Sequence, residues 1–232
     1  MPEYVPFSKS VFATSSVENW LSEIETMMRV SLYDLTKACN AAYPANDSER
    51  AHWFFSSPAQ SVLVVDMIRW TFDVEDCIRR AEAGEKKTLD GFYNTVVTQI
   101  NEMVNLVKTE ITISQRETIK CLIVLDVHNR DVVSRLAKAD VSNINDFEWS
   151  KQLRYYWDVK EDDIFARQTN TNFRYGYEYL GNGARLVITP LTDKCYITLT
   201  GALHLFYGGA PAGPAGTGKT ETTKDLAKSL AV

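Results

Sequence analysis

The 232-residue sequence has few of the features that mark metal-stapled, disulfide-bonded or membrane proteins. Its four cysteines, Cys39, Cys77, Cys121 and Cys195, lie tens of residues apart and form no C-x-x-C pair. This spacing favours reduced, buried thiols over a zinc site or a disulfide framework. The longest apolar runs, such as residues 121–125, fall far short of the ~20 residues that a membrane span requires. We therefore expect no membrane partner.

Positive charge is also scarce. The chain has 25 Lys and Arg residues against 30 Asp and Glu residues, which gives a formal net charge of −5, and no basic cluster stands out. A nucleic-acid surface needs concentrated positive charge to neutralise phosphates, so we expect no nucleic-acid partner. With 45% hydrophobic and 11% aromatic residues, the chain has ample material for a globular core.

The first half of the chain has the apolar spacing of amphipathic helices, with apolar residues three and four positions apart. Four such stretches begin near Ser15, Ser57, either Thr88 or Asp90, and Ser114, at residues typical of helix caps. The connections between them are short. This pattern predicts an antiparallel bundle or a stacked helical rod.

One segment in this half has the form of a catalytic strand. Residues 122–125 are apolar and Asp126 follows them, as in the strand that holds Mg²⁺ in phosphate-loop enzymes. Because the segment continues a helical pattern, we interpret it as helix. The competing hypothesis is a circularly permuted nucleotide hydrolase that uses Asp126.

After Asp146 the pattern changes from helical spacing to alternation. The predicted elements are a short helix through Phe147, Trp149, Leu153, Tyr156 and Trp157, strands at 164–167 and 173–179, a turn at 180–183, a strand at 185–188 and a helix at about 192–205. We place the boundary between a helical part and a second part at residue 160.

The clearest chemical signal fits the phosphate-loop pattern G-x-x-x-x-G-K-[ST]. It consists of Gly213, Pro214, Ala215, Gly216, Thr217, Gly218, Lys219 and Thr220. The glycines let backbone N–H groups approach a phosphate, Lys219 supplies a point charge, and the Thr220 hydroxyl is placed to ligate Mg²⁺. Glu221 opens a predicted helix at 221–231, whose N-terminus favours an anion. The pattern predicts a site for Mg²⁺ and a nucleotide.

Several runs around this loop resemble the start of the first AAA+ module of a dynein heavy chain. They are residues 175–181 (YGYEYLG), 186–196 (LVITPLTDKCY) and 208–222 (GGAPAGPAGTGKTET). Upstream, residues 123–128 (IVLDVH), 145–149 (NDFEW) and 152–157 (QLRYYW) resemble the C-terminal part of the dynein linker. Residues 220–228 (TETTKDLAK) are more similar to the axonemal branch than to the cytoplasmic one.

The resemblance implies an α-rich fold: a helical linker bundle or rod over residues 1–160, then the incomplete start of an α/β phosphate-loop domain of the AAA+ type over 161–232. It implies a fragment of an ATP-driven microtubule motor of cilia or flagella, in the cytoplasm, the cytoskeleton and the axoneme. ATP or ADP, Mg²⁺, other dynein subunits and, through other parts of the parent chain, microtubules would be its partners. Val187, Ile188 and Leu191 would line the pocket for the base.

The same resemblance implies that the chain is a piece of a longer protein. The acidic Mg²⁺-site strand, the sensor residues and the arginine of a neighbouring module are absent, so we expect no ATP hydrolysis by this chain alone. Leu226 and Leu230 would then lack the strands that cover them, and residues from about 208 onward are expected to be disordered or self-associating. The alternative function is a structural helical module with an incidental nucleotide site.

Overall fold

A computed structural model describes residues 3–13, 16–45 and 50–232. The described residues form, in chain order, helices α1 (Val17–Ala41), α2 (Arg50–Trp53), α3 (Ala59–Glu82), α4 (Thr88–Val107), α5 (Ile113–Lys138) and α6 (Phe147–Ser150), strands β1 (Arg154–Asp158), β2 (Asp163–Gln168) and β3 (Thr171–Arg174), and helices α7 (Pro190–His204) and α8 (Lys219–Leu230). The α-rich fold expected from the sequence is confirmed. None of the helices in these ranges is both long enough and apolar enough to cross a membrane.

Helix α3 is the centre of the core, because it packs against α1, α4, α5 and β1. Its fully buried side chains, Val62, Val65, Val74 and Ile78, recur at the three- and four-residue spacing read from the sequence. Burial of one such side chain contributes about 1.5–3 kcal/mol. The helical part is therefore held mainly by α3 and the helices that cover it.

The predicted helix starts are correct to within two residues. Helix α5 begins after Thr112 and not at a Ser114 cap, because the Thr112 hydroxyl accepts a hydrogen bond from Gln115 N at 3.2 Å. The Gln115 side chain accepts one from Thr112 N at 2.9 Å, which completes a capping box. Helix α3 begins after Pro58, one residue later than the Ser57 cap predicts. Ser15, the predicted cap of α1, lies outside the described residues.

Three predictions about the second half were wrong in detail. Tyr156 and Trp157 lie in β1, which pairs antiparallel with β2, and not in a helix with Trp149. Aromatic residues favour strands, and their spacing matched a helical face only by coincidence. Strand β3 ends at Arg174, and residues 185–188 form no strand. The β1–β2 turn contains the proposed boundary at residue 160, so one small sheet pairs residues from both sides of it.

A buried charged cluster joins three helices of the helical part. Arg50 Nη2 of α2 lies 2.6 Å from Asp66 Oδ1 of α3 and 3.4 Å from Asp126 Oδ2 of α5. Burial first, and the neighbouring Asp66 second, raise the pKa of Asp126 to about 7, although Arg50 opposes the shift. Asp126 thus lies in a helix and binds Arg50. This confirms the helical interpretation and contradicts the permuted hydrolase.

We expect Asp126→Asn to change how stability depends on pH. The folded pKa of Asp126 lies above the value of about 3.9 for an unfolded aspartate, so the folded state binds the proton more tightly. The quantity to follow is the free energy of unfolding of the wild type minus that of the variant. This difference should fall as pH rises from 5 to 7, by at most about 1.4 kcal/mol per pH unit, and should stay constant above pH 7. Urea unfolding at each pH measures it. A pH-independent difference would contradict the assignment.

Candidate functional site

The glycine loop at residues 213–218 leads directly into α8, which begins at Lys219. Gly216 and Gly218 have φ angles of 76° and 78°, in the left-handed region that favours glycine. A Cβ atom at either position would meet nothing within 4 Å, so the backbone conformation, and not crowding, requires glycine there. The loop is exposed, so its backbone N–H groups are accessible from solvent.

Lys219 lies back against the loop that precedes it. Its ammonium donates hydrogen bonds to the carbonyl oxygen of Gly213, at 2.8 Å, and to that of Pro214. The Thr217 hydroxyl also donates to Pro214 O, at 2.9 Å. Among the residues that the structure describes, no carboxylate pairs with Lys219 within 4.0 Å. The ammonium is therefore available to an anionic ligand that enters the loop.

The N-terminus of α8 keeps its anion-binding capacity. Gly218 occupies the N-cap position and has no side chain to accept from the first N–H groups of the helix. Thr222 and Thr223 donate backward, to Gly218 O at 2.9 Å and Lys219 O at 3.1 Å, and so do not cap the helix. The exposed Thr220 lies in this first turn. The first N–H groups of an α-helix have no partner within the helix, so these groups and the helix dipole favour an anion such as phosphate at this end.

Asp225 fixes the middle of α8 to the segment before α7. Asp225 is 3% exposed. Its carboxylate accepts hydrogen bonds from the Tyr196 hydroxyl at 2.7 Å and from Leu186 N at 3.2 Å. Arg185 Nε lies 3.3 Å from Asp225 Oδ1 and Arg185 Nη2 donates to Ser229 Oγ. Burial, and then Asp225, raise the pKa of Tyr196 far above its usual value, so this hydroxyl remains a donor.

The C-terminal end of α8 docks through backbone groups. Gly176 N donates to Leu230 O at 2.9 Å and Glu178 N donates to Ala231 O at 3.0 Å. A Cβ on Gly176 would lie 2.3 Å from Ala231 O, so only glycine permits this approach. The Tyr155 hydroxyl of β1 donates to Ser229 O at 2.9 Å. The helix behind the loop is thus held at both its middle and its end.

These contacts overturn the expectation that α8 is exposed. Leu226 and Leu230 are only 4% and 5% exposed, and residues 219–230 form a docked helix. The expectation assumed that only strands after α8 in the chain could cover its apolar face. The structure instead covers it with preceding residues, namely the segment 175–188 and Tyr155.

Two amide side chains connect this docked unit to the long helices. Gln60 of α3 donates from Nε2 to Glu178 O at 2.8 Å and accepts at Oε1 from Leu180 N at 2.9 Å. Asn182 donates from Nδ2 to Ser114 O and Thr118 Oγ1 of α5, each at 2.9 Å. Gln60 is 6% exposed, so both ends of its amide are matched inside the protein. Segment 175–183 therefore lies between α8 and the helices α3 and α5.

The predicted base-pocket residues lie at the start of α7 and in the segment just before it. Val187 and Leu191 are 67% and 71% exposed. Ile188 is half-buried and lines a cavity to which no residue of 213–220 contributes. Glu221 is exposed and forms an ion pair with Lys224 at 3.3 Å. Contacts from these four residues to a nucleotide stay predictions.

Sequence reasoning missed the residues that position the loop. Thr222, Asp225 and Ser229 lie on the same face of α8 as Leu226, at the three- and four-residue spacing of one helix face. A carboxylate on an apolar face requires partners when it is buried. That mismatch in the sequence is the signal that could have identified Asp225.

Comparison with known proteins identifies the region of the loop. Residues 175–232, which include α7, the loop and α8, match the family described as "Hydrolytic ATP binding site of dynein motor region". The chain is 46% identical over 230 residues to mouse "Dynein axonemal heavy chain 1" and 46% identical over 231 residues to human "Dynein axonemal heavy chain 2". The chain is a homologue of axonemal dynein heavy chains.

This homology covers both parts of the chain. Each alignment spans 99% of the chain, and the same holds for human "Dynein axonemal heavy chain 12", at 46% identity. The chain spans only 5% of the length of the first two dynein relatives and 7% of the third. The similarity to dynein heavy chains therefore includes the long helices as well as the loop.

We expect Tyr196→Phe to destabilise the chain, because it removes a donor from the buried Asp225 carboxylate. A hydrogen bond to a charged group contributes about 1.5–3 kcal/mol. Tyr207→Phe is the matched control, since Tyr207 is 68% exposed. That control should change the free energy of unfolding by less than about 0.5 kcal/mol. Equal urea midpoints for the two variants would contradict the role of Asp225.

Proposed function

We propose that this chain is a part of a dynein heavy chain in which residues 213–220 hold the phosphates of ATP. The observation that carries the proposal is the loop geometry: left-handed Gly216 and Gly218 lead into the uncapped N-terminus of a docked helix. The match of residues 175–232 to the ATP-binding region of dynein supports it. All the groups proposed to bind the phosphates belong to this chain.

Each loop residue has a defined task in this proposal. The backbone N–H groups of 213–219 donate to phosphate oxygens, and the Lys219 ammonium exchanges the carbonyls of Gly213 and Pro214 for them. The Thr220 hydroxyl ligates Mg²⁺, which neutralises phosphate charge when bound. Glu221, Val187, Ile188 and Leu191 remain proposed contacts around the rest of the nucleotide.

For the whole protein we propose an ATP-driven microtubule motor of cilia or flagella, located in the axonemal cytoskeleton. Residues 1–160 act in it as part of a force-transmitting linker, and residues 161–232 as the start of the first AAA+ module. The hydrogen bonds of Gln60 and Asn182 support mechanical continuity between the two. Other dynein subunits are its partners, and microtubules are contacted through further parts of the longer chain.

The second candidate is a structural helical module with an incidental nucleotide site, whose role does not require the loop to hold ATP. One observation favours it: Lys219 already satisfies its ammonium on carbonyls of its own loop. Binding of ATP separates the two candidates, because only the first requires those bonds to exchange.

We expect the chain to bind Mg²⁺-ATP and Lys219→Ala to weaken the binding about tenfold or more, since a charge-assisted hydrogen bond contributes about 1.5–3 kcal/mol. Isothermal titration calorimetry measures the dissociation constant. Lys224→Ala is the matched control, because Lys224 lies on the same helix and pairs with Glu221. Wild-type protein that binds no ATP, or equal affinities for the two variants, would contradict the proposal and favour the structural module.

A further inference from the structure

An extended segment, residues 3–8, lies against α1 and the beginning of α3 and forms neither a helix nor a strand. We call it the strap. Glu3 attaches one end of the strap to the start of α3. Ser8 attaches the other end to α1, because Ser8 N donates to Ser31 Oγ and Ser8 Oγ donates to Asp34 Oδ2, each at 2.8 Å.

The Glu3 carboxylate caps helix α3. Pro58, the N-cap residue of α3, provides no side-chain hydrogen bond to the helix. Glu3 Oε1 instead accepts from Ala59 N, the first N–H of the helix, at 2.7 Å. Ala59 is 2% exposed, so this donor lies inside the protein, where the loss of its partner is costly. A carboxylate at a helix N-terminus is also favoured by the helix dipole.

The other oxygen of the same carboxylate binds the second part of the chain. The Tyr179 hydroxyl donates to Glu3 Oε2 at 3.1 Å. Burial first, and then the charge of Glu3, raise the pKa of Tyr179 above its ordinary value, so the hydroxyl remains a donor. The residues on either side of it, Glu178 and Leu180, are bound through their backbones by Gln60 of α3. Glu3 and Gln60 therefore hold the same short stretch at the same end of α3.

The strap has little packing between its two attachments. Val5 is half-buried against the core, whereas Tyr4 is 84% exposed and Phe7 is 45% exposed. The strap forms one wall of a cavity of about 360 Å³, and α1, α5 and the connection before α3 form the others. A segment with few buried contacts opens at a lower free energy than the core does. The polar contacts of Glu3 and Ser8 are therefore what keeps the strap closed.

We propose that residues 3–8 are a detachable latch on the joint between α3 and segment 175–183. In the closed state, one carboxylate both caps α3 and holds Tyr179. When the strap leaves, both bonds are lost together, and Gln60 holds the stretch around Leu180 on α3 without that help. Because segment 175–183 also binds the end of α8, the latch controls how firmly α8 is connected to the long helices. This inference does not depend on nucleotide binding by the loop.

Hydrogen exchange at two amides, measured by NMR on the 232-residue chain, tests the latch. Glu3→Ala should accelerate exchange at least about tenfold at Ala59, whose N–H loses its acceptor. It should do the same at Leu180, whose N–H is bonded to Gln60 and not to Glu3. Glu23→Ala is the matched control, because it removes an exposed carboxylate from α1 and should change neither amide.

The amides of α5 are the internal reference and should stay protected in both variants, because a latch opens locally. Faster exchange at Ala59 alone would make Glu3 a helix cap without an effect on the joint, and would overturn the proposal. Unchanged exchange at both amides, or an equal loss of protection throughout α5, would also overturn it.

Tyr179→Phe separates the two bonds of the Glu3 carboxylate. It removes the hydroxyl and keeps the ring, so exchange at Leu180 should rise roughly two- to tenfold while Ala59 stays protected. Tyr207→Phe is the control, since Tyr207 is 68% exposed. Equal exchange at Leu180 in these two variants would overturn a latch that acts through Tyr179.

Discussion

The position of the glycine loop depends on one buried carboxylate, Asp225. An unpaired charge inside a protein is costly, so a helix that carries one inward must meet donors at defined positions. Tyr196, the Leu186 N–H and Arg185 supply them. Because Asp225 lies within two turns of Lys219 on the same helix, fixing Asp225 also fixes the direction in which the N-terminus of α8 points.

From α8 the chain of contacts continues into the helical part. The backbone at 176–178 binds the end of α8, and Gln60 binds the same segment from α3. The sheet adds Tyr155, whose hydroxyl donates to Ser229 O and whose backbone N–H donates to Thr71 Oγ1 of α3. These contacts form a continuous hydrogen-bonded connection between the glycine loop, through α8, and the long helices of this chain. Such a connection can carry force only if both of its ends are rigid.

The sequence predicted the parts of the fold that depend on local patterns. Helices α3, α4 and α5 follow from apolar spacing, and the loop follows from its glycines and Lys219, because these signals lie within a few residues. The burial of Leu226 and Leu230 could not be predicted in this way, since the residues that cover α8 lie 39 to 74 positions earlier in the chain. Strand β1 was missed because its aromatic residues fit two periodicities. Asp225 was missed because a carboxylate is ordinarily assigned to a solvated helix face.

Hydrogen exchange of the α8 amides tests most directly whether Asp225 holds the helix behind the loop. In a monomeric sample of the 232-residue chain, residues 223–230 should exchange slowly, as those of a docked helix do. Asp225→Ala should accelerate exchange in α8 and leave α5 protected, because the core around α3 does not include Asp225. Fast, unprotected exchange across α8 in the wild type, or unchanged protection in Asp225→Ala, would contradict this account.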